Sequence, residues 1–148
     1  MANDQMEQAV AYVSKCPVCT VATASVDGDP SASIVYFSNA GLDIYFNTAR
    51  DSQKVRNILA NPRVAITWQE MSAPKTDREI KGVQYNGKAV ILSDAEANES
   101  PKPVLARHRA FNSLSRGNSV IVKVAPVRVY LIDYSKGFRH REEIRLNS

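Results

Sequence analysis

The feature that most constrains this chain is a run of short β-type segments joined by tight-turn signals. Val18 to Ser25 is dense in β-branched and small residues, and Asp27-Gly28-Asp29-Pro30 turns the chain back. Ser31 to Phe37 alternates in polarity, Ser38-Asn39-Ala40-Gly41 turns the chain again, and Leu42 to Asn47 follows. Turns this short join antiparallel neighbours only, so the segment reads as a three-strand meander. Nothing supplies the strand–helix–strand alternation of a doubly wound sheet.

The rest of the chain extends this pattern. Met6, Ala9, Val10 and Val13 recur at helical spacing within residues 4–15, with Asn3 or Asp4 as cap and Pro17 as stop. Asp51 or Ser52 caps a short helix with Val55, Ile58 and Leu59 on one face, which Asn61-Pro62 ends. Arg63 to Trp68 reads as a buried strand and Met71 to Asp77 as a loop. Glu79 to Leu92 is a long strand in which Asn86-Gly87 makes either a hairpin turn or a bulge. Asp94 to Ser115 is helical in part, divided by Pro101 and Pro103, and Ser119 to Ala125 and Val127 to Asp133 are two further strands. The expected fold is mainly β: an antiparallel split barrel with peripheral helices.

Bulk properties narrow the classes. With 148 residues and neither repeat nor linker, residues 1–148 read as one domain. Val120 to Val122 and Val127 to Ile132 are too short to cross a bilayer, and the first residues lack the pattern of a secretion signal. A cytoplasmic location without membrane partners is the expectation. A net charge of +4 favours anionic partners without choosing among them. The basic stretches Lys102 to Arg116 and Arg139-His140-Arg141 read as solvated faces or tails. Cys16-Pro17-Val18-Cys19 has C-x-x-C spacing, but only His108 and His140 could complete a metal site, and neither sits in a cluster. The helical pattern precedes this motif, whereas a redox site opens its helix, so both cysteines read as buried structural residues and no metal is expected. His108, in a basic helical stretch, reads as a surface residue.

Thr48 to Lys54 lies between a strand and a helix start. A helix N-terminus offers unpaired N–H groups and a positive dipole end to an anion. Thr48 and Ser52 add hydroxyls, and Arg50 and Lys54 add charge, the guanidinium being able to grip a phosphate bidentately. On chemistry alone, a simple helix cap flanked by solvated cations remains the alternative.

The order of motifs resembles a known family. Ile44-Tyr45-Phe46-Asn47-Thr48-Ala49-Arg50-Asp51-Ser52-Gln53-Lys54, then Asn61-Pro62-Arg63-Val64-Ala65, after a meander with a D-G-x-P turn, is similar to the pyridoxamine 5′-phosphate oxidase-like superfamily. Ile80 to Ala89 resembles its long strand ending in a glycine step, and Gly137-Phe138 its small YhbP-like branch. The resemblance implies a six-stranded split barrel that dimerises and holds FMN at the subunit interface. It implies that Thr48, Ser52, Gln53 and Lys54 meet the FMN phosphate and ribityl chain, that Arg50 joins them, and that Gln84 approaches the flavin from the other subunit. Gly82 and Gln84 share one strand face by the period-two rule, so both could face the ring. Trp68 or Tyr36 could stack near it, although core packing fits both. Ser31 to Tyr36 carries no cation, and no tryptophan occurs late in the chain. In these respects the sequence departs from oxidases acting on pyridoxine phosphate.

The leading expectation is an FMN-dependent oxidoreductase acting on a small molecule, with the catalytic residues left open because flavin carries its own redox chemistry. The alternatives are a flavin- or haem-binding module without turnover, with His108 or His140 on the iron, and a small nucleic-acid-binding barrel. The last would use Tyr36, Phe37, Tyr45 and Phe46 to stack bases, without any recognisable nucleic-acid motif.

Overall fold

The computed structural model describes residues 2–69, 73–101 and 118–146; the stretch Lys102 to Arg116 with His108, and Met71, lie outside them. Six strands close into a ring: β1 (Val18–Ala24), β2 (Pro30–Ala40), β3 (Asp43–Ala49), β4 (Arg63–Gln69), β5 (Lys81–Ile91) and β6 (Ser119–Asp133). Their order is β3-β2-β1-β4-β5-β6, every pair is antiparallel, and β6 returns to β3. A seventh strand, β7 (Arg141–Glu143), adds to β6 beyond the ring. Helices α1 (Ala2–Lys15), α2 (Gln53–Ala60) and α3 (Asp94–Glu99) lie on the periphery. The expected barrel is observed. Helix α1 starts at Ala2, so Asn3 and Asp4 sit in its first turn instead of capping it.

Alternation along each strand fills the barrel. Cys19 and Val21 of β1, Val64, Ile66 and Trp68 of β4, and Val83, Tyr85 and Ala89 of β5 are buried. Trp68 stands at the centre, edge-on to Phe37 at 5.8 Å and to Tyr85 at 5.6 Å between ring centroids. Such aromatic pairs contribute about 0.5–1.5 kcal/mol beyond their burial. The Tyr85 hydroxyl shares its proton between the carbonyls of Leu42 at 2.7 Å and Val124 at 3.0 Å. Burial foremost, and then Asp43, hold this phenol well above its ordinary value, so it remains a donor.

Two expectations change, and one open choice is decided. Ser119 to Ala125 and Val127 to Asp133 form one strand, because Pro126 falls just past the end of the β3–β6 pairing at Val124. Its missing N–H therefore costs no bond on that side. Asn86-Gly87 is a bulge site and not a hairpin turn: Asn86 pairs with Arg128 and Gly87 with Pro126, leaving Val127 as the extra residue. Arg139-His140-Arg141 is not a tail, since Arg141 opens β7 and pairs with Ile132, although Arg139 and Arg141 are exposed.

The bulge explains a glycine. A Cβ on Gly87 would stand 2.6 Å from the Ala125 carbonyl oxygen and 2.6 Å from a Val124 methyl. Backbone cannot yield as a flexible side chain can, so Gly87→Ala should destabilise the fold by about 1–3 kcal/mol, the usual cost of overpacking. Urea denaturation measures this, and an unchanged midpoint would show that the bulge tolerates a side chain.

Candidate functional site

The end of β3 delivers Thr48 to the start of α2. Ser52 is the N-cap, with its backbone extended at φ −70° and ψ 158°. Its Oγ accepts from the Val55 N–H at 3.3 Å and from the Thr48 hydroxyl at 3.0 Å. With both lone pairs used, the Ser52 hydroxyl proton is left to donate outward. Among the described residues, the backbone N–H groups of Gln53 and Lys54 have no acceptor, as expected of a first helical turn. Arg50 is exposed, Lys54 is half-buried, and neither enters an ion pair among the described residues. One junction therefore gathers a hydroxyl donor, two amide donors and two cations.

The side chain of Gln53 turns along the helix instead. Its Nε2 donates to Asn57 Oδ1 at 2.8 Å, and its Oε1 accepts from Arg56 at 2.9 Å. Asn57 is buried and donates to Thr23 Oγ1 of β1 at 2.9 Å, so it pins α2 to the barrel. Val55, Ile58 and Leu59 share one face by spacing, but only the first two are buried. Leu59 is 73% exposed, and Asn57 turns inward because its amide finds partners on both sides. Beside Thr48, both side-chain polar atoms of Asn47 are buried without a partner among the described residues. Asn47 belongs to the run named from the sequence, whereas Asn57 carries no signal there.

Gly82 and Gln84 lie elsewhere, on the outer face of β5. Gly82 pairs with Gln69 and Ile132, and a Cβ there would meet the Trp68 carbonyl oxygen at 3.0 Å. Gln84 is exposed, and its Oε1 accepts from Arg141 Nη1 at 3.2 Å. It borders a hollow of about 320 Å³ shared with Thr20, Ala22, Ala65, Thr67 and Tyr130, and no residue of 48–54 lines that hollow. Within one protomer the cradle and this strand face are separate.

Other candidates resolve by burial. Trp68 is 1% exposed inside the barrel, which removes it as a stacking surface for a ligand on the outer face. Tyr36 is 41% exposed on the outer face, opposite Val18. Phe37, Tyr45 and Phe46 are buried, so three of the four aromatics considered for base stacking belong to the core or its cover. His140 Nε2 lies 2.7 Å from Glu142, which also takes Lys136 at 3.4 Å. The His140 hydrogen bond is the foremost of the contacts that hold the Glu142 carboxyl below its ordinary value. Among the described residues no group of three His, Cys, Asp or Glu could hold a metal ion, and no helix is long and apolar enough to cross a membrane.

A closed six-stranded antiparallel barrel, with a hydroxyl-capped and cationic helix start following its third strand, defines a split barrel. The family model of pyridoxamine 5′-phosphate oxidase matches residues 5–133, and the chain belongs to that family. Solved structures agree on the fold. General Stress Protein 26 from Bacillus anthracis is similar at 22% identity and TM-score 0.69, over 96% of this chain and 98% of that one. A heme binding protein from Mycobacterium smegmatis is similar at 21% identity and TM-score 0.76, over 93% of this chain and 56% of that one. HutZ, the heme storage protein from Vibrio cholerae, is similar at 16% identity and TM-score 0.65, over 87% and 91%. No curated protein matches the chain.

Cys16 and Cys19 are buried thiols and form no disulfide. Burial foremost, and then Cys16, push the Cys19 thiol up to about 12. Since the thiolate is the reactive form, neither cysteine should react promptly with a disulfide reagent at pH 8 in the native protein, and both should react in urea. Rapid labelling of the native protein would instead place a thiol in an open, activated site.

Proposed function

We propose that this protein is an FMN-binding homodimer and a flavin-dependent oxidoreductase acting on a small molecule. The observation that carries the reading is the Thr48–Ser52 hydrogen bond at the start of α2. It fills the second lone pair of Ser52 and turns that hydroxyl into a donor beside two free amide N–H groups. A phosphate dianion supplies several acceptor oxygens and suits this set, with Arg50 and Lys54 neutralising its charge. Asn47, the residue before Thr48 on β3, has a side-chain amide without a partner among the described residues.

When bound, the flavin ring supplies the hydride and electron chemistry. The chain's own residues do the binding. Ser52, Gln53 and Lys54 hold the phosphate through hydroxyl and backbone groups, while Asn57 keeps the helix start fixed against β1. Gly82 and Gln84 of a second copy complete the ring site. This reading explains why cradle and ring residues sit apart in one protomer. Ile34, 72% exposed on the same outer face as Tyr36, suits burial against that second copy. The location remains the cytoplasm in this reading, with neither membrane nor nucleic acid as partner.

A second reading rests on the two haem proteins among the structural relatives. Haem ligation within the described residues would fall to His140, whose Nε2 is engaged by Glu142 while Nδ1 is left for iron.

The purified protein should be yellow or should become so with FMN; a Soret band instead would select the haem reading. Replacing Arg50 and Lys54 together with alanine should weaken FMN binding by at least about tenfold, since hydrogen bonds to charged groups contribute roughly 1.5–3 kcal/mol. Riboflavin, lacking the phosphate, should bind both forms alike. Equal FMN affinity in the double variant, measured by quenching of flavin fluorescence, would remove the cradle from the account.

A further inference from the structure

The strand that the sequence hid brings a cation onto the face where the ring site is proposed. Arg141 of β7 reaches across β6, placing its guanidinium 4.2 Å from the centre of the Tyr130 ring and its Nη1 3.2 Å from Gln84 Oε1. These are its recorded contacts, and it enters no ion pair among the described residues. A guanidinium has five N–H donors, so one bond to Gln84 leaves most of them unspent. Glu143, two residues further along β7 and opposite Tyr130, is itself engaged by Arg128 at 3.8 Å.

The surroundings are built for something flat. Ala22, Ala65, Thr20 and Thr67 make a floor of small side chains on two neighbouring strands, and Tyr130 and Arg141 rise beside it. The hollow, about 320 Å³ and half open, suits a small ring compound. Arg141 is held in place at both ends. Tyr130 stacks under the guanidinium, and the strand is anchored by the buried Ile144 and by Glu142, which accepts from Gln5 of α1 at 2.6 Å. A cation held in this way loses little further freedom on meeting an anion.

We infer that Gln84, Tyr130 and Arg141 form a recognition site for a planar ring bearing a carboxylate, with the ring on the small-residue floor and the carboxylate on Arg141. This deepens the flavin reading by naming a substrate class, and as a statement about a substrate it rests on that reading. The geometry divides the work. Tyr130 orients the guanidinium, Arg141 selects charge, and the Gln84 amide fixes the approach.

Nicotinate and nicotinamide test this, because they share a ring and differ in a carboxylate against a neutral amide. Each is titrated into the full-length protein while amide resonances are followed by NMR. Nicotinate should bind about tenfold tighter, the scale of one charge-assisted contact, with shifts at Thr20, Thr67 and Gln84. Arg141→Ala should reduce the preference to within about twofold, and Arg141→Lys should recover part of it, since charge survives but the fork does not. Unshifted dispersion of the remaining resonances identifies a folded variant. Equal binding of the two compounds, a preference that survives Arg141→Ala, or shifts elsewhere on the barrel would overturn the site. FMN titration is run in parallel. If FMN fails to bind while the Arg141-dependent preference holds, the flavin reading falls and the site stands. If FMN binds and the preference is absent, the site alone falls.

Discussion

Strand β6 is the constraint on which the rest of the molecule depends. Its first half pairs with β3 from Ser119 to Val124 and closes the ring, while its second half carries β7 from Tyr130 to Ile132. It also pairs with β5 along nearly its whole length. The bulge at Val127 lets one strand serve both neighbours, because an extra residue bends the strand and increases its twist. Both candidate regions hang from this strand. The cradle lies at the end of β3, held by the first half of β6, and Arg141 lies on β7, held by the second half.

Local rules explain why part of this was legible in the sequence. The turns at Asp27-Gly28 and Asn39 to Gly41 need glycine where φ is positive, as at Gly28 and Gly41, and such signals do not depend on distant residues. Ser52 as a cap, and Thr48 four residues before it, are equally local, so this helix start could be read directly. Pro126 misled because its cost depends on whether a strand lies on its N–H side, and that is settled only by where β3 ends. Asn57 looked unremarkable until Thr23, 34 residues away, supplied its partner. Strand β7 was invisible for the same reason: Arg141 meets Gln84 across 57 residues of sequence, and neither short segment announces the pairing.

The outer and inner faces of the barrel divide the labour. Inside, Trp68, Phe37 and Tyr85 interlock, and the Tyr85 hydroxyl ties β5 to the Leu42 and Val124 carbonyls. Such a core is close-packed. The proposed ligand sites lie instead at the rim and on the outer sheet face, where Ala22, Ala65, Thr20 and Thr67 line a shallow hollow. Membership of the pyridoxamine 5′-phosphate oxidase family agrees with this division without fixing the substrate.

The central claim is that the helix start after β3 holds a flavin phosphate through its own backbone. The most direct measurement is the ¹H–¹⁵N correlation spectrum of the apo-protein titrated with FMN and, separately, with riboflavin. The Gln53 and Lys54 amide protons should move downfield with FMN, as N–H groups do on meeting an anion, and should stay in place with riboflavin. Equal shifts with both flavins, or movement confined to residues away from Thr48 to Lys54, would contradict the account.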